Sequence, residues 1–226
     1  MSLKPTKKSD LNKEWLRSRG SKSKTVRINP EYHLIFTEGT DTEPNYFEAI
    51  KNEINKSFKE RISVEIEGAG NNTVNLFFKA KAKAESNPNG FKHVWVVYDT
   101  DDFPAEHINK TAELCVKYST EDTTYHAIWS NQCIELWFLL HFGFYQSDIH
   151  RNEYGDKLTQ YLSNMDSGEY KKGRDDMYDI LKPYIERAIE NAKKLEEKNK
   201  GKTPADSAPG TQVYKIIEKL KPYLEL

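Results

Sequence analysis

The chain has 226 residues, enough for one domain with an appendage or two small domains, and no apolar run in it approaches the length of a membrane span. Charged residues make up 31% and aromatic residues 12%, which excludes wholesale disorder and predicts a very polar surface. A net charge of -1 predicts no nucleic-acid affinity by itself, but Met1 to Arg27 carries nine Lys and Arg against two acids, so a basic arm precedes an acidic body.

Residues 1–29 read as that arm, either following a phosphate backbone or simply forming a solvated terminus. It lacks the apolar stretch of a secretory signal. The two cysteines, Cys115 and Cys133, lack metal-ligand spacing. Together these features predict a cytoplasmic protein with buried free thiols. The first strand is Tyr32 to Thr37. Gly39 then permits a tight turn, Asp41 or Thr42 can cap a helix, and Pro44 falls in that helix's first turn, where its missing donor costs nothing. Tyr46, Phe47, Ile50 and Ile54 recur at helical spacing behind it. A second strand, Ile62 to Ile66, is broken by GAGNN before a helix that turns Leu76, Phe77, Ala80 and Ala84 inward.

The turn NPNG introduces HVWVVYDTDD, His93 to Asp102. This is a β-branched and aromatic run that reads as a strand buried on both faces, ending in Asp99, Asp101 and Asp102. A helix begun by Pro104, a fourth strand from Thr124 to Trp129 and the buried helix CIELWFLLHF follow. Strict alternation of strands and helices over residues 30–142 predicts an α/β domain, a parallel sheet of about four strands between helices. Residues 143–226 lose the strand pattern and form a helical C-terminal region. A short helix carries Leu158, Tyr161 and Leu162, and a polar break, SGEYKKGRDD, follows. Next comes one long apolar stripe from Met177 to Leu195, with Pro183 near its start or kinking it. After the loop GKTPADSAPG, Val213, Ile216, Ile217, Leu220 and Leu224 mark a closing helix.

In a parallel sheet all strand carboxyl ends lie at one edge, so Glu38, Asp99 and Asp101 can converge. Asp99 and Asp101 leave an extended strand on the same side, whereas Asp102 points elsewhere unless the turn redirects it. Crowded carboxylates repel one another unless protons or a cation intervene, and an oxygen-rich cluster suits Mg²⁺ or Mn²⁺. Any one of these acids alone is explained equally by a helix cap or a solvated turn. Glu43 serves either as a further ligand or as a complement to the helix macrodipole. Glu135 sits in an otherwise apolar helix, where a carboxylate must be paired, protonated or metal-bound. His141 reads as a satisfied core histidine, and Trp129, Trp137 and Phe138 as core. Lys79 with Lys83, and Lys171, Lys172 and Arg174, either neutralise substrate phosphates or form solvated faces.

EGTDTEP, YDTDD, SNQCIELWFLLHF and APGTQVYKIIEKL resemble the signatures of RloB-like proteins of bacterial abortive-infection (AbiLii-type) and restriction loci. That resemblance covers most of the chain and implies a Toprim-like, Rossmann-like core. In Toprim proteins a glutamate after the first strand and a DxD after the third hold Mg²⁺ for cutting or joining phosphodiester bonds, and these positions match Glu38, Asp99 and Asp101. One departure is Gln132, where the pattern has proline. The resemblance implies a Mg²⁺- or Mn²⁺-dependent nuclease acting on DNA or RNA, tRNA among them, in phage defence. No phosphate-binding Gly-x-x-x-x-Gly-Lys-Ser/Thr loop is present, so ATP dependence would come from a second protein, an ABC-type ATPase encoded nearby. The rival reading is a catalytically silent sensor that binds the ATPase or a phage component, and a third is a phosphoryl-transfer enzyme acting on a small nucleotide.

Overall fold

A computed structural model describes residues 31–58, 62–68, 72–100, 103–147 and 149–226. The expected basic arm lies outside the described residues, as do Asp101 and Asp102. Strands β1 (Glu31–Thr37), β2 (Ile62–Gly68), β3 (His93–Asp99) and β4 (Thr124–Asn131) form a parallel sheet. The two-residue β5 (Gly210–Thr211) adds to β4 antiparallel, and the strand order is β2-β1-β3-β4-β5. The mixed α/β architecture expected from the alternation is what forms, with a short fifth strand contributed by the C-terminal region.

Period-two alternation sends each strand's residues to two cores. Leu34 and Phe36 of β1 and Val94, Val96 and Tyr98 of β3 pack on one side. There they meet α2 (Thr73–Ser86) and α3 (Ala105–Tyr118) through Leu76, Phe77, Ile108 and Leu114. Ile35, Trp95, Val97 and Ile128 face the other way onto α1 (Thr42–Phe58) and α4 (Glu135–Leu140). Neither sheet face meets water over these strands, which is why β3 carries no alternating polar residue.

The second core continues into the C-terminal helices. These are α5 (Asn152–Asn164), α6 (Met177–Leu181), α7 (Ile185–Lys198) and α8 (Val213–Leu220). The expected single stripe from Met177 to Leu195 is interrupted at Lys182–Tyr184, a 3-10 turn containing Pro183. Proline lacks the donor that a continuous helix needs there. Inside this core the Trp137 indole donates to the Tyr46 hydroxyl at 3.0 Å, tying α4 to α1. Glu53 of α1 accepts from the Tyr178 hydroxyl at 3.0 Å, from Lys182 Nζ at 2.7 Å and from the Glu225 N–H at 2.7 Å. Cys115 and Cys133 are buried and free. Among the described residues no helix is long and apolar enough to cross a membrane.

Candidate functional site

From β1 the chain leads through α1 to β2 on one side, and from β3 through α3 to β4 on the other. The connections diverge between the carboxyl ends of β1 and β3. In open α/β sheets the crevice at such a divergence is where ligands bind. Glu38 and Asp99 stand on its two banks. The Glu38 N–H donates to the Val97 carbonyl at 2.9 Å, extending the strand pairing by one residue, and the Asp99 N–H reaches Glu38 Oε2 at 3.4 Å. The sequence reading that these two acids share one edge is therefore met by the geometry.

Glu43 enters from the first turn of α1 and is buried. A Cβ on Gly39 would lie 2.1 Å from Glu43 Oε2, so the carboxyl rests on the bare glycine backbone. Backbone N–H groups of Gly39 and of Glu43 itself support it there. Burial and the facing Glu135 nevertheless raise the Glu43 pKa. Asp99 is pushed well above the carboxylate range, first by burial and then by Glu43, Glu135 and Glu38 in turn. Glu135, the first residue of α4, is buried and accepts a 2.7 Å hydrogen bond from the Tyr170 hydroxyl. Burial, with the Glu135 charge next, raises the pKa of Tyr170, so the phenol stays a donor. Beside them the Cys133 thiol is raised by burial, Glu135 and Asp99, and stays protonated.

Two residues of this arrangement come from the polar break that joins α5 to α6, and the sequence alone did not assign them to the site. Tyr170 caps Glu135, and Lys172 opposes the raised pKa values of Asp99 and Glu43. Their loop is clamped to the α1 turn: the Gly173 N–H donates to Thr42 Oγ1 at 3.1 Å and its carbonyl accepts from Asn45 Nδ2 at 2.7 Å. Of the basic cluster read in the sequence, Lys172 is the member that lines the crevice. Arg174 forms a paired contact with Asp176 at 2.7 and 2.6 Å and braces the Ser167 and Glu169 carbonyls. Only the clustering of Lys171, Lys172 and Arg174 hinted at this loop. Nothing local marked Tyr170, because its partner lies 35 positions away.

His141 is a buried core residue whose Nδ1 pairs with the Trp137 carbonyl at 2.9 Å, and Trp129, Trp137 and Phe138 are buried as well. The turn after β4 departs from the resembled pattern at Gln132, and the Asn131–Gln132 peptide is cis. Gln132 Oε1 accepts the Arg151 N–H at 2.8 Å, which brings the start of α5 to the site.

Glu38, Glu43, Asp99 and Lys172 line a concavity of about 470 Å³. The carboxylates of Glu38, Glu43, Asp99 and Glu135 form an all-oxygen donor set, and its mutual repulsion is what a hard divalent cation relieves. That chemistry fits Mg²⁺ or Mn²⁺. Among the described residues no three His, Cys, Asp or Glu side chains stand close enough to hold an ion as they are. Cation binding would therefore draw these carboxylates inward.

No curated protein and no solved structure matches this chain. A family model described as RloB-like protein matches residues 33–220, from within β1 to the last residue of α8. With the match running through the crevice acids and the loop that covers them, the chain belongs to the RloB-like family.

Proposed function

We propose that this protein is a Mg²⁺- or Mn²⁺-dependent nuclease of Toprim type that cleaves phosphodiester bonds of DNA or RNA, tRNA among them. We place it in bacterial anti-phage abortive-infection defence, with an ABC-type ATPase encoded nearby as its partner. The observation that carries the reading is the gathering of Glu38, Asp99, Glu43 and Glu135, from the ends of three strands and one helix turn, around a single crevice. A structural ion pair network would have matched these acids with cations, and here four carboxylates meet one lysine.

Bound among them, a divalent ion supplies an activated water and neutralises charge on the attacking and leaving oxygens of an in-line displacement. Asp99 and Glu43 offer oxygens from opposite banks, and Glu38 is either ligand or general base. Asp101 and Asp102 belong to the same proposed ligand set by their place in the sequence. Tyr170 holds Glu135 in position through its hydroxyl. Lys172 balances charge at the mouth.

Cleavage decides it. Purified protein with Mg²⁺ or Mn²⁺, with and without the ATPase, should cut nucleic acid, and Asp99→Ala and Glu38→Ala should abolish cutting while leaving the unfolding transition intact. If wild-type and Asp99→Ala proteins protect cells from phage equally well, the nuclease reading fails and the silent-sensor alternative takes its place.

A further inference from the structure

Beside the acid crevice lies a second concavity, of about 610 Å³, between α5 and the loop that carries Tyr170. Lys172 lines both. The two differ in sign. Around the first, Glu38, Asp41, Glu43 and Asp99 face one cation. Around the second, one acid, Glu135, faces Arg151 and Lys172, and that acid is capped by the Tyr170 hydroxyl at 2.7 Å. A cation-attracting hollow joined at a lysine to an anion-attracting one is the arrangement required to bind a phosphodiester with its metal on one side and its strand on the other.

The geometry points to the second concavity as the subsite for one nucleotide unit of the substrate strand. Its phosphate meets Arg151 and Lys172, and its sugar and base lie along Gly155, Asn152 and the Tyr170 ring. This inference rests on the nuclease reading of the adjoining crevice.

Three observations support it. A volume of about 610 Å³ falls in the range of cavities that enclose small molecules, and a duplex is far too wide to enter it. The substrate is therefore presented as a single strand or as a nucleotide turned out of its stack. Next, Gly155 stands inside α5, where glycine costs about 0.5–1 kcal/mol relative to alanine. Packing does not demand it, because a Cβ there would meet only Tyr170 Cδ1, at 3.8 Å. What the missing side chain leaves open is the cavity wall. Finally, the first N–H groups of α5 are already engaged: that of Arg151 by Gln132 Oε1 at 2.8 Å and that of Asn152 by His150 Nδ1 at 3.3 Å. Recognition of the phosphate thus falls to the Arg151 and Lys172 side chains.

The test uses the full chain in EDTA, with deoxythymidine 3′,5′-bisphosphate, uridine 3′,5′-bisphosphate and inorganic phosphate as probes, read by calorimetry and by amide shifts. At least one bisphosphate should bind more tightly than phosphate and shift the amides of Gly155 and Tyr170, and the tighter of the two names the sugar preferred. Arg151→Gln and Lys172→Gln should each weaken binding about tenfold or more, as expected for lost charge-assisted contacts. Gly155→Leu, a better helix former that fills the cavity, should abolish binding with the fold retained. Equal affinity for phosphate and both bisphosphates, or bisphosphate binding unchanged in Gly155→Leu, overturns the subsite. Asp99→Asn separates the two readings, since it should keep bisphosphate binding while losing cleavage. A wild-type protein that binds bisphosphate but cuts no polymer refutes the nuclease and leaves the subsite. One that cuts polymer with unchanged KM in Gly155→Leu refutes the subsite alone.

Discussion

Replacing Gly39 with alanine should dislodge a carboxyl group without straining the backbone, and so isolates what Glu43 contributes. The three atoms nearest to a Cβ built at position 39 all belong to the Glu43 carboxyl, at 2.1, 2.6 and 2.7 Å. Contacts below 3.0 Å do not persist, so the carboxyl must retreat by roughly an ångström and leave the Gly39 and Glu43 N–H groups. Losing a hydrogen bond to a charged group costs about 1.5–3 kcal/mol, and the entropic gain of Gly→Ala returns about 0.4–1 kcal/mol. The net loss is about 1–2 kcal/mol, or roughly 2–8 °C in Tm for a domain of this size. Calorimetric or fluorescence unfolding of wild type, Gly39→Ala, Glu43→Ala and the double variant measures it as a cycle. With the Glu43 carboxyl removed, the same alanine should be neutral or mildly stabilising, so the two substitutions are strongly non-additive. In both single variants, any rise in Tm produced by Mn²⁺ should shrink. An equal cost of Gly39→Ala with and without the Glu43 side chain would refute the contact as its source.

Asp99→Asn should stabilise the protein in EDTA, more at pH 8 than at pH 5, because burial and the three neighbouring glutamates raise the Asp99 pKa and its ionisation destabilises the fold only as pH rises. Unfolding at the two pH values checks this, and a destabilised Asp99→Asn protein would contradict it. Burial lowers the pKa of both His33 and His141 to about 3, so the unfolded chain takes up their protons first. Stability is fully present above pH 6.5 and falls as pH drops towards the folded values, by about 2 kcal/mol per histidine at pH 5. Urea titrations at pH 7 and 5 should show this loss, reduced by about half in His141→Asn, and no loss at all would sink the argument. Glu53→Ala leaves three donors of the C-terminal region without their shared acceptor and should cost about 1–3 kcal/mol, read from the urea midpoint, with faster proteolysis near the carboxyl terminus. Burial pushes the Cys115 thiol up to about 12 and also raises that of Cys133, so neither should react with a disulfide reagent at pH 8 until the chain unfolds.

The strands and the edge they share were legible because their cause is local. His93 to Asp99 is apolar on both faces, a pattern that a doubly covered parallel strand requires, and the acids end the run where the strand ends. Helices α1 to α3 announced themselves by spacing in the same way. The break at Pro183 was legible as a perturbation of the Met177 to Leu195 stripe, and its form, a 3-10 turn between two helices, required knowing what each half packs against. β5 carries no such signal. Two residues, Gly210 and Thr211, become a strand only because the Ser130 hydroxyl and the β4 backbone are there to pair with Thr211. Glu43 and Glu135 were readable as acids in unusual places, but whether each faced the crevice depended on how α1 and α4 rotate over the sheet. Tyr170 and Lys172 were beyond reach for a stronger reason, because a polar loop has no periodicity to fix its direction and only the clamp of Gly173 on Thr42 and Asn45 aims it.

That clamp makes the C-terminal region a part of the site rather than a neighbour of it. Glu38, Asp99 and Glu135 would crowd the sheet edge with or without residues 143–226, because strand ends place them. The opposing charge and the Glu135 cap both come from residues 170–172, and the second concavity exists only because α5 and this loop face each other. The same helices complete the core under α1 and α4, through Tyr154, Leu158, Leu181, Ile185 and Leu195. A substitution that loosens this packing, such as Leu158→Ala at a cost of about 2–5 kcal/mol, acts on the crevice through the position of Lys172 and Tyr170. Stability and site geometry in this fold are thus set by one set of contacts, and a change in the core far from the acids reaches them along the chain from α5 to Gly173.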